Sequence, residues 1–125
     1  MAQQRTFAEL AWTAKKKTTR RERFLAEMND VIPWAAFVAL VEPHYPKSGQ
    51  RGRPALGIEK MLRMYFLQQW FDLSDPEAED ALYDIESMRR FVGIDLSEDV
   101  VPDESTLLRF RHLLEQHHLT EQLFA

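Results

Sequence analysis

Cysteine is missing from the 125 residues, which excludes disulfides and thiolate metal sites and fits a reducing compartment. Glycine is scarce, with four residues, and no apolar run approaches the ~18 residues of a membrane span. The N-terminal MAQQRTFAELAWTAKKK carries its charge after a short apolar part and has Glu9 inside it, the wrong order for a secretory signal. No membrane partner and a cytoplasmic location are therefore expected. Also lacking are a convincing strand, an internal repeat, a low-complexity run, a Gly-rich phosphate loop and a nucleophile elbow. A chain of this length makes about one domain with one core.

What is present is helical periodicity arranged around one stretch, IEKMLRMYFLQQWF, Ile58 to Phe71. Its apolar side chains fall on every side of a helical wheel, so the segment asks for burial all round. Lys60, Arg63 and Gln69 must then snorkel or find partners. The remaining segments have single apolar faces and read as a coat, giving an all-α domain of about five to six helices around a buried central helix. Thr18 or Thr19 caps a helix to about Asn29, and Pro33 suits the first position of PWAAFVALVE, which Pro43 ends. HYPKSGQRGRP is the longest loop. Ser74 with Glu77 forms a capping box, Gly93 terminates SMRRFVG, and a last complete helix opens at Asp103 or Glu104. We divide the chain into an arm at 1–18, with Phe7, Leu10 and Trp12 as docking anchors, a body at 19–118, and an opening turn at 119–125. In that last segment Leu123 and Phe124 have nothing after them to pack against.

The net charge of -4 conceals a division. Up to Arg63 twelve Lys and Arg face six Asp and Glu, whereas the remainder has four against fourteen. A basic half suits a polyanion, and an acidic half prevents indiscriminate clinging or attracts another basic surface. Solubilising charge on helix faces accounts for either half alone.

Three features suit DNA. In the last complete helix Thr106, Leu107, Phe110, Leu113 and Leu114 form a core face, and Ser105, Arg109, His112 and Gln116 form the opposite stripe. Long hydrogen-bonding side chains on one exposed face are what a major-groove reader needs, although a solvated helix face looks the same. Arg51-Gly52-Arg53-Pro54 resembles the core of the AT-hook, whose arginines enter a narrow minor groove; read structurally, Pro54 leads into a helix and the arginines are merely exposed. Lys15, Lys16, Lys17, Arg20, Arg21 and Arg23, with Lys47 in the loop, can contact phosphates. Cations at the start of a helix oppose its dipole, so another requirement put them there. Arg111, off the stripe and near Glu104 and Glu115, reads as a surface ion pair. His112, His117 and His118 lack the spacing for a metal site, and the acids between Asp72 and Glu104 read as solvated helix faces rather than catalytic carboxylates.

In order, the stretches KTTRRERFLAEMNDVIPW, EPHYPKSGQRGRP, LGIEKMLRMYFLQQWFDLSDPEAEDALYDIESMRRFVGI and VPDESTLLRFRHLLEQHHL resemble the N-terminal domain of bacterial DDE transposases of the insertion-sequence-five family. The resemblance implies an all-helical module, with a helix-turn-helix-like C-terminal part, ahead of an RNase H-like domain that cuts and joins DNA with three acids and divalent metal. It also implies double-stranded DNA at the element ends as partner. The sequence ends at Ala125, before that catalytic domain, so no catalytic residue, metal or cofactor is assigned here; Mg belongs to the other domain. The expected function is recognition of terminal inverted repeats, together with assembly. The alternatives are a dimerisation or assembly module, with a second copy or the catalytic domain as partner, and a truncated regulatory remnant.

Overall fold

The computed structural model describes residues 7–15, 17–45 and 57–124. Among these the chain is all-helical, with eight α-helices and no strand: α1 (Phe7–Ala14), α2 (Arg20–Val31), α3 (Trp34–Val41), a 3-10 turn (Glu42–His44), α4 (Ile58–Phe71), α5 (Asp75–Asp84), α6 (Glu86–Val92), α7 (Glu104–Gln116) and α8 (Leu119–Leu123).

α4 is the axis of the domain. Every residue from Met61 to Gln68 is buried, because α3, α5, α6 and α7 all pack against it. Phe66 gathers the aromatic core, with Trp34 at 5.5 Å, Phe37 at 5.9 Å, Trp70 at 5.3 Å and Phe124 at 4.9 Å between ring centroids. The Trp34 and Phe124 rings meet it edge to face and those of Phe37 and Trp70 lie stacked, the two arrangements that ring quadrupoles favour. Two polar side chains of α4 enter this core and both are satisfied. The Arg63 guanidinium lies 4.3 Å from the Trp34 ring centroid and 4.8 Å from that of Phe91, donates to the Phe91 carbonyl at 2.9 Å and pairs with Glu59. Gln68 is buried while Gln69 is exposed, so the expected inward polar residue lies one position earlier.

Local signals in the sequence explain the element ends. Thr19 caps α2 with Glu22 completing a capping box, and Ser74 does the same for α5 with Glu77. Each box satisfies two amides that a helix start leaves without partners. Glu22 also offsets the cations of the first turn of α2. Gly93 ends α6 at φ 87°, in the left-handed region that glycine enters without cost, and Asp72 ends α4 in the same region at φ 53°.

The structure corrects several expectations at the edges. The segment read as an arm contains α1, and of its three anchors only Trp12 docks: Phe7 is 92% exposed and Leu10 is exposed as well. Trp12 is clasped by Lys15 and Arg90, and Arg90 also pairs with Glu9. Pro33 lies just outside α3 rather than in its first position, and Pro43 sits within the 3-10 turn that prolongs the chain past α3. The final residues have a site after all. α8 folds back so that Leu119 and Leu123 are buried, and the Phe124 ring lies against Phe66 and Tyr65. Earlier helices, α4 among them, satisfy the short apolar run there.

Candidate nucleic-acid interface

α7 places its expected faces as the 3.6-residue period dictates. Leu107, Phe110 and Leu114 are buried on the side that packs against α4 and α5, and Ser105, Arg109, His112 and Gln116 are all exposed along the outside. Asp103 caps the helix: its carboxylate accepts from the Thr106 amide at 2.8 Å and the Ser105 hydroxyl at 2.8 Å. These bonds, the Thr106 amide first, hold the Asp103 carboxyl down at about 2. Ser105 therefore spends its hydroxyl on the cap. Arg109 makes one side-chain bond, to Thr106 Oγ1 at 3.3 Å. The side chains of His112 and Gln116 make no hydrogen bond or ion pair among the described residues.

The flanks of this stripe differ in charge. On one side runs α5, whose Glu79 accepts from the Glu104 amide at 2.6 Å and whose Asp75 accepts from Arg111 Nη2 at 2.7 Å. Arg111 is thus an ion-pair residue as expected, with Glu115 as its minor partner and Asp75 as its main one. Burial pushes the Asp75 carboxyl up, but bonds from Arg111 and Gln68 outweigh that and leave it below the ordinary range. On the other side Tyr45 packs edge to face on Phe110, at 6.1 Å, and the rings of His44 and His117 stack with centroids 3.8 Å apart. Lys47, Arg51 and Arg53, which follow Tyr45 in the sequence, lie outside the described residues, as does Lys16.

The basic cluster sits on a different element. Lys17, Arg20, Arg21 and Arg23 are exposed at the start of α2, which packs on α6 and, through Phe24, on Trp70 and Phe71. Arg21 lies over the Phe71 ring at 5.7 Å. Lys15 is engaged within the chain, by Glu22, the Lys17 carbonyl and Trp12, while Arg20 and Arg23 have no such partner among the described residues. Helix α7 and the start of α2 are thus two separate exposed surfaces, both fixed to α4.

Residues 13–113 match the family model of a transposase domain (DUF772). The chain belongs to that family. No solved structure matches this transposase domain. Among its described residues no group of three or more His, Asp and Glu is placed to hold a metal ion. No single described helix is long and apolar enough to cross a membrane.

Sequence reasoning missed Asp75, Gln68 and His44 as contact makers, and the cations that hold Trp12. Asp75 and Arg111 are 36 residues apart and the Arg90–Glu9 pair 81 apart, and no local pattern encodes pairings over such separations. His44 and His117 had only their side-chain type in common.

Proposed function

We propose that this transposase domain binds duplex DNA at the ends of an insertion-sequence element, of the insertion-sequence-five type, and that it contributes recognition rather than chemistry. The observation that carries the reading is the exposed face of α7, where Arg109, His112 and Gln116 project from a helix whose back is locked into the core. Arginine bonds guanine O6 and N7 in pairs and glutamine does the same for adenine, so such a row can read base edges in a major groove. Ser105, whose hydroxyl proton is already given to Asp103, can accept from a base but can donate to one only by exchanging that bond.

The charge of the flanks orients the duplex. Phosphates are repelled on the α5 side, where Asp80 and Asp84 are exposed, and are accommodated on the Tyr45 side. Arg20 and Arg23, with Lys17, supply sequence-independent phosphate contacts, and Arg21 and Lys15 contribute less while they remain packed on Phe71 and Trp12.

Gel-shift titration with a terminal inverted repeat and a scrambled duplex of the same length tests the division of labour. Arg109→Ala should remove about 1–3 kcal/mol of preference for the repeat and leave the scrambled duplex nearly unaffected. Arg23→Ala should weaken both alike and reduce the salt slope by about 0.9. Equal losses on both duplexes for both variants would contradict the assignment.

The assembly reading is favoured by one observation, the outward Phe7 and Leu10 of α1. A dimer seen by light scattering, abolished by Phe7→Ser and accompanied by no preference for the repeat, would place that role first.

A further inference from the structure

The exposed stripe of α7 is the neighbour of a second one. Glu104, Leu108, Arg111 and Glu115 each precede by one residue the positions Ser105, Arg109, His112 and Gln116. This preceding ridge is tied to α5. Its first member gives its amide to Glu79 at 2.6 Å, and Arg111, two turns further on, reaches Asp75 at 2.7 Å. Asp75 is itself tied to the core, because Gln68, buried in α4, donates to it at 2.9 Å and to the Leu73 carbonyl at 3.3 Å. Only 13% of the Asp75 side chain is exposed, and Gln68 is 6% exposed. These groups are much more closely held than a surface ion pair.

An attachment at the first amide of the helix and another at a side chain about two turns further on together restrain its position and its rotation about its own axis. Leu107, Phe110 and Leu114 hold the back of α7 in the core, but their contacts are non-directional and define its rotation less sharply than hydrogen bonds do. The consequence for the outer stripe is geometric. A turn of α7 by about 20° moves groups at its rim, about 5–6 Å from the axis, by about 2 Å. That displacement breaks a paired hydrogen bond to a base edge, whose tolerance is a few tenths of an ångström. It leaves contacts to phosphates largely intact, because those depend on charge more than on direction.

We infer that Asp75 and Glu79 are positioning residues that set the rotation of α7 and thereby its sequence discrimination, an inference that rests on the reading of α7 as the base-reading helix. Neither touches DNA in this arrangement. Asp75 acts through Arg111 and Glu79 through the first amide of α7.

The test is fluorescence anisotropy on the full chain, with the inverted-repeat duplex and a scrambled duplex, for Asp75→Asn, Glu79→Ala and Glu79→Gln. An asparagine at position 75 has one acceptor oxygen for two donors and turns an amide toward the other, so pairing with Arg111 or Gln68 is lost. Glu79→Gln removes the same charge as Glu79→Ala but keeps an oxygen for the Glu104 amide. The expected result is a fall of fivefold or more in the ratio of the two affinities for Asp75→Asn and Glu79→Ala, with scrambled-duplex affinity changed less than twofold, and a wild-type ratio for Glu79→Gln. An unchanged ratio in Glu79→Ala overturns the inference, and so does a parallel loss on both duplexes that follows the loss in melting temperature. The Glu79 pair decides the matter if Asp75→Asn does not fold. Failure of the wild-type chain to prefer the repeat is a different result, because it sinks the base-reading role of α7 as well.

Discussion

Arg63 shows how a charge is carried into an apolar core. Its guanidinium packs on the rings of Trp34 and Phe91, its Nη1 donates to the Phe91 carbonyl, and Glu59 pairs with it at the rim. The planar cation matches the two rings and the carbonyl at once, which lysine cannot do. Arg63→Ala should lower stability by roughly 2 kcal/mol through the lost ring contacts and the orphaned carbonyl, and Arg63→Lys should recover only part of it in denaturant melts. A neutral outcome for Arg63→Ala would show that the ring contacts form without contributing. Asp103 makes a prediction of a different kind. Its carboxyl falls from an ordinary 3.8 to about 2 in the folded chain, so the unfolded chain takes up the proton first as pH drops. The stabilisation is complete above about pH 4 and is lost as pH falls through about 4 toward 2. Asp103→Asn retains a capping oxygen without the titration. The difference in melting temperature between wild type and this variant should therefore shrink across that window, and a constant difference would refute the assignment.

At the scale of elements, what the sequence disclosed depended on how local the signal was. α4 was legible from Ile58 to Phe71 because a helix with apolar residues on all its sides is stable only when neighbours cover every one of them. Ser74, Glu77 and Pro76 marked the start of α5 within one turn, and Gly93 marked the end of α6. α1 was missed because its short run, FAELAWTA, carries no long period, and what holds it is a pair of cations, one of them from a distant helix. The start of α8 at Leu119 was legible, but its packing was not, for a related reason: its apolar residues find their partners on earlier helices, as Phe124 does on α4. These differences are measurable. Leu62, which is fully buried in α4, should cost about 2–5 kcal/mol when cut to alanine. Arg90→Ala should instead leave the melting temperature nearly unchanged while releasing α1, which limited proteolysis after Lys15 or Lys17 would detect as faster cleavage. Wild-type cleavage rates in that variant would mean that Trp12 docks without the clasp.

For the molecule as a whole, the division of charge becomes a division of surfaces. The start of α2 presents Lys17, Arg20 and Arg23, and α5 presents Glu77, Asp80 and Asp84. α7 packs against α5, so in the proposed reading a duplex approaches the α7 stripe from the side away from α5. The stripe Ser105, Arg109, His112 and Gln116 could be read from period alone, because a helix with one buried face exposes the other. What period could not supply was the rotation lock from α5, since Asp75 and Glu79 meet α7 only after folding. The proposed function turns on which of these surfaces meets DNA. Chemical-shift mapping of the 14.7 kDa chain against the inverted-repeat duplex measures this in one titration. Signals of Arg109, His112 and Gln116 should move most, with smaller changes at Arg20 and Arg23 and none at Asp80 and Asp84. Changes confined to α2, with the α7 stripe silent at saturation, would contradict it.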